Sequence, residues 1–156
     1  MIRKLSIQLL LFCSLSVLAP TAVADTSVQT SKDAFTRYEL LSPDTHSFRI
    51  YYDVSAATEG ATRYYNPIRR GSDPDVHGVY DRMTGESMEW SLVDGADARS
   101  SELLPDAEPD SQYIRVELAR PVPANGRGRL LIDKTYVDAA SYFEDGDVVK
   151  IGRAHV

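Results

Sequence analysis

Beyond residue 35 the chain never sustains a helical period; short runs rich in Tyr, Val, Ile and Thr alternate with clusters of Gly, Pro, Asp and Ser. Successive side chains point to opposite faces of a strand, so runs of this kind specify half-buried strands joined by tight connections. The expected fold is all-β. Some seven strands at short spacing imply an antiparallel β-sandwich, immunoglobulin- or fibronectin-like, or a partly open barrel.

Residues 37–41 form the first expected strand, closed by Ser42-Pro43-Asp44-Thr45, where the fixed φ of Pro43 suits a turn. In residues 46–54, Phe48, Ile50, Tyr52 and Val54 fall on one face and are expected core. Residues 61–65 follow, with Pro67 marking a strand end or an edge. Residues 76–81 and 88–93 flank a turn around Gly85 and read as a hairpin, with Met88, Trp90 and Leu92 inward and Glu89 and Ser91 outward. Residues 94–110 are irregular and acidic, with one helical turn near 97–103, and are the expected mobile connection. Residues 113–118 and 128–136 are expected to pair across the Pro- and Gly-containing segment 120–126, with Ile114, Val116 and Leu118 inward.

The first 24 residues carry Arg3 and Lys4, an apolar run through Leu18, and Ala22-Val23-Ala24 before Asp25. That order is a cleavable secretory signal, too short and too interrupted for a membrane span. The expected location is periplasmic or extracellular. The one cysteine, Cys13, would leave with the signal, so the exported domain would hold no disulfide, thiol nucleophile or thiolate metal site. The signal carries two of 17 basic and none of 23 acidic residues, which leaves 15 against 23 and a net charge of −8. Such a chain repels polyanions, so nucleic acid and anionic membrane surfaces are not expected partners. Residues 25–34 read as a flexible start and 35–150 as one domain. Residues 151–156, Ile-Gly-Arg-Ala-His-Val, resemble a translated sequencing adapter and are set aside, with the intact gene expected to complete a strand begun at Val148-Val149.

The chain lacks the His-Glu-x-x-His, G-x-S-x-G and G-x-x-x-x-G-K-[ST] motifs, and His46 and His77 alone cannot make a three-histidine site. No cofactor is implied. Acidic clusters at Asp73 and Asp75, at Asp106, Glu108 and Asp110, and at Glu144, Asp145 and Asp147 read first as solvated turns. The last group, Glu144, Asp145 and Asp147, is also the candidate Ca²⁺ site, since carboxylates at alternate loop positions can converge on that ion. Two adjacent pairs, Tyr51-Tyr52 and Tyr64-Tyr65, each direct one ring away from the core. Tyr51, Tyr64 and Tyr65 are therefore candidate binding residues, a platform for a sugar or peptide, against the plainer role of cross-strand packing.

The runs RYELLSPDTHSFRIYYDVSAATEGATRYYNPIRRGS and YIRVELARPVPANGRGRLLIDKTYVD resemble the N-terminal part of uncharacterised secreted bacterial β-sandwich proteins, which bring no activity with them. The rhythm Ile114-x-Val116-x-Leu118, Pro121-Val122-Pro123, Gly126, Leu131-Ile132, Tyr136 is similar to the N-terminal β-domain of M1-type aminopeptidases. That likeness covers one hairpin and carries over no catalytic residue. The expected function is an exported, non-enzymatic accessory or binding domain for a protein, peptide or glycan. The alternatives are the β-domain of an exported metallopeptidase whose catalytic part lies beyond Lys150, and a carbohydrate-binding module.

Overall fold

The computed structural model describes residues 28–152; residues 1–27, which include the expected signal, and residues 153–156 lie outside them. Nine strands and one short helix follow in the order β1 (Ser31–Leu40), β2 (Ser47–Ala56), β3 (Arg63–Pro67), β4 (Asp73–Asp81), β5 (Trp90–Asp94), α1 (Gly95–Ser100), β6 (Gln112–Glu117), β7 (Gly128–Val137), β8 (Tyr142–Asp145) and β9 (Val148–Ile151). A four-stranded antiparallel sheet runs β1-β2-β7-β4 and a three-stranded one runs β3-β6-β5, with β8 and β9 forming a separate hairpin. The fold is an all-β sandwich, as the period-two patterning requires.

One core joins the two sheets. Phe48, Ile50 and Val54 from β2, Val79 from β4 and Leu130 and Ile132 from β7 pack against Tyr64 from β3 and Ile114 and Val116 from β6. Each large aliphatic or aromatic side chain so buried contributes roughly 1.5–3 kcal/mol.

The sheets are offset. Tyr38 and Leu40 of β1 pair with the core residues Ile50 and Phe48 and so share their face, yet remain 41% and 49% exposed. The smaller sheet does not cover the inner face as far as β1. At the other side Trp90 and Leu92 pair with Val116 and Ile114, and are 37% and 47% exposed. Their expected inward phase is correct, but no facing strand covers them, and Ser91, expected outward, is half-buried.

Strand partners differ from expectation at both proposed hairpins. The turn around Gly85 does form, with φ +79° and Asp81 C=O accepting from Gly85 N–H at 2.7 Å. β4 then pairs with β7 and β5 with β6, so the chain crosses between sheets there and only Tyr80 and Ser87 form a bridge. Segment 120–126 likewise carries the chain from β6 in one sheet to β7 in the other.

The described part of the expected flexible start, residues 28–34, is held down. Gln29 lies alongside the edge strand β3, its side-chain amide donating to Tyr65 C=O at 2.9 Å and accepting from Tyr65 N–H at 2.7 Å. The amide thus satisfies backbone groups that a neighbouring strand would otherwise pair. β1 accordingly begins at Ser31, six residues before the expected start, with a bulge between Lys32 and Phe35 where Asp33 adopts φ +51°. The acidic connection 94–110 is packed as well. Ala98 of α1 and Ala107 bury against Tyr65 on the outer face of the smaller sheet, and Arg99 donates to Ala107 C=O. Gly95 is required there, because a Cβ would lie 1.7 Å from Glu108 C=O.

Candidate functional site

Strand β7 is one of the two central strands of the larger sheet, and its inward residues are Leu130, Ile132, Lys134 and Tyr136. Three of these suit a core. The fourth is a lysine, only 4% exposed, opposite Ile50 on β2 and Val76 on β4. Burying an ammonium group without an opposite charge is costly, and burial alone holds the Lys134 amine down from 10.5 to about 8. Lys134 Nζ donates to Asn66 Oδ1 at 2.6 Å and sits 4.8 Å from the centre of the Tyr136 ring. One neutral acceptor leaves two of its three protons uncommitted.

Asn66 reaches the amine because it shares the inner face of β3 with Tyr64, and Pro67 then ends that edge strand. Tyr136 stacks edge-on against Phe48 at 6.1 Å. Its hydroxyl is buried without a hydrogen-bond partner among the described residues. Burial lifts that phenol to about 12, offset in part by the backbone of Arg69, which does not come into hydrogen-bonding geometry.

The offset of the sheets makes a half-open cavity of about 870 Å³ here, within the range that small-molecule sites occupy. Its ceiling is the uncovered inner face of β1 and β2, from Thr36, Tyr38 and Leu40 to Phe48, Ile50 and Tyr52. Its floor is the end of β3 with Ile68, Arg69 and Arg70, and one side is closed by Ser141 and Tyr142. His46 Nδ1 lies 2.8 Å from Tyr142 C=O and the Tyr142 hydroxyl donates to Leu41 C=O at 2.6 Å, which fixes that wall. Arg69 is neutralised by Asp138 at 3.1 Å and donates to Ser141 Oγ at 2.7 Å. No carboxylate lines the cavity among the described residues.

The residues singled out from sequence lie elsewhere. Tyr64 is buried in the main core, and burial raises its phenol above the ordinary range, with Tyr52 adding to the effect. Tyr65 does face away from that core, as the alternation demands, but the 94–110 connection covers it to 1% exposure. Tyr51 lies on the opposite side of the molecule's larger sheet, its ring flanked by the Arg37 and Arg49 guanidinium groups at 4.1 and 4.9 Å. No shared aromatic platform exists among Tyr51, Tyr64 and Tyr65.

Glu144, Asp145 and Asp147 do not converge either. Glu144 and Asp145 are neighbours on β8 and point to opposite faces, and Asp145 pairs with Lys150. Among the described residues no three acidic, histidine or cysteine side chains are grouped to hold a metal ion. His77 bonds to Thr135 Oγ1 at 2.7 Å, an ordinary strand contact.

Lys134 is not among the residues that sequence motifs single out, although its phase gives the signal: Leu130, Ile132, Lys134 and Tyr136 alternate as one inward set. A lysine in phase with core residues on a central strand needs a reason. Fold and cavity together define a β-sandwich domain with an internal, partly open, cation-lined cavity of ligand size. No known protein family, curated protein or solved structure matches the chain.

Proposed function

We propose that the protein is an exported, non-enzymatic binding domain that holds a small, largely apolar molecule between its sheets. The supporting observation is the 870 Å³ cavity, whose ceiling of Tyr38, Leu40, Phe48, Ile50 and Tyr52 is apolar or aromatic while Asn66, Lys134 and Ser141 add a few polar groups to its lining. Export is supported by the signal-like order of residues 1–24. The carbohydrate reading through Tyr51, Tyr64 and Tyr65 loses its basis, because two of the rings are buried and the third is flanked by arginines.

The test uses 1-decanol as a neutral apolar probe. The full chain should bind one equivalent by isothermal calorimetry. Leu40→Trp, at the half-exposed mouth, should reduce that binding by filling the entrance. Absence of binding, or binding indifferent to Leu40→Trp, would refute the reading.

A further inference from the structure

We infer that the cavity selects an apolar carboxylic acid, its carboxylate seated on Lys134 and its hydrocarbon body lying along β1 and β2. The inference rests on the cavity being the binding site and adds the chemistry of the ligand.

Ion pairing elsewhere in the molecule sets the contrast. On the opposite face of the same strand pair, Arg49 holds Asp133 through two hydrogen bonds of 2.8 and 2.6 Å. Arg69 has Asp138 at 3.1 Å, Arg82 has Asp53 at 2.8 Å, and Arg115 has Asp97 at 3.2 Å. Each of these cations is more exposed than Lys134, yet each has its carboxylate. Among the described residues, Lys134 alone is a cation buried on a core face with a neutral partner. Acids are not scarce in a chain with 23 of them. A buried ammonium normally requires a partner, so the missing carboxylate is the one the ligand supplies.

The surroundings narrow the choice further. Arg70 lines the same cavity without an ion pair among the described residues, so the net field inside favours an anion. A bare inorganic anion would leave the apolar ceiling unfilled, whereas a neutral hydrocarbon would leave the amine's two free protons unmatched. An apolar body with one carboxylate answers both demands.

Calorimetry with decanoic acid and 1-decanol on the full chain tests this. Decanoate should bind about tenfold or more tightly than the alcohol, the range a charge-assisted hydrogen bond gives. Lys134→Met and Lys134→Gln should each lower decanoate affinity at least about tenfold while leaving decanol within about threefold. Should either variant fail to fold, the other variant and the acid-to-alcohol ratio on the unaltered protein still decide. Equal affinity for acid and alcohol, or decanoate binding that survives both substitutions, would overturn the seating on Lys134 and leave the cavity as a neutral apolar site. Failure of both probes to bind would instead overturn the proposed binding function itself.

Discussion

Replacing Lys134 by Met should make the unliganded protein more stable. A depression of the amine from 10.5 to about 8 corresponds to about 3 kcal/mol of unfavourable charge burial at neutral pH. Met has similar length and carries no charge, so the substitution removes that cost. It also strips Asn66 Oδ1 of its 2.6 Å donor, which returns roughly 1–2 kcal/mol of destabilisation. The net expectation is a gain of about 1–2 kcal/mol at pH 7. The sign of the pH dependence follows from proton counting. Between about pH 8 and 10.5 the unfolded chain holds this proton while the folded chain has released it, so stability of the unaltered protein rises with pH across that window. The advantage of Lys134→Met should therefore shrink between pH 7 and pH 10. The other titratable or charged groups lining the cavity are Arg69, Arg70, Tyr38, Tyr52, Tyr136 and Tyr142, and they are common to both proteins. Urea unfolding of both proteins at the two pH values measures the difference directly. A variant less stable by 1 kcal/mol or more at pH 7, with a difference that does not change by pH 10, would mean that Lys134 is a structural anchor and not a residue kept for a ligand.

Three further outcomes check the rest of the structure. Gln29→Ala should cost about 1–3 kcal/mol in chemical denaturation, because both backbone groups of Tyr65 that the amide satisfies lose their partner. Gly95→Ala should lower stability by about 2 kcal/mol or more and loosen the 94–110 segment in hydrogen exchange, since its methyl group meets the Glu108 carbonyl. Millimolar Ca²⁺ should leave the melting temperature where EDTA leaves it, as Glu144, Asp145 and Asp147 are not gathered for an ion.

The strands were legible because alternation is a local property. Phe48, Ile50 and Val54 on one face of β2, and Ile114 and Val116 on β6, follow from counting by twos. Partnership was not. A short connection around Gly85 looks the same whether the flanking strands pair or, as here, pass to different sheets. Exposure was equally hidden: Tyr65 has the phase of an outward ring, and only the folding back of Ala98 and Ala107 covers it. Trp90 has the phase of a core residue, and only the offset of the sheets uncovers it. The polar start concealed Gln29, whose amide acts as a short piece of neighbouring strand. Lys134 was visible as an in-phase residue, but the cavity beside it arises from which strands lie opposite which, and that is set by tertiary packing.

The inferred seat of an apolar acid lies between the sheets, with its carboxylate at Lys134. Isotope-edited NMR on the protein with 13C-labelled decanoate tests it most directly. Nuclear Overhauser contacts are expected from the carboxyl end of the ligand to the Lys134 ε-methylene and the Tyr136 ring, and from its tail to Tyr38, Leu40 or Ile68. Contacts confined to the exposed side chains of Phe35, Trp90 and Leu92 would contradict it, because those residues lie outside the cavity.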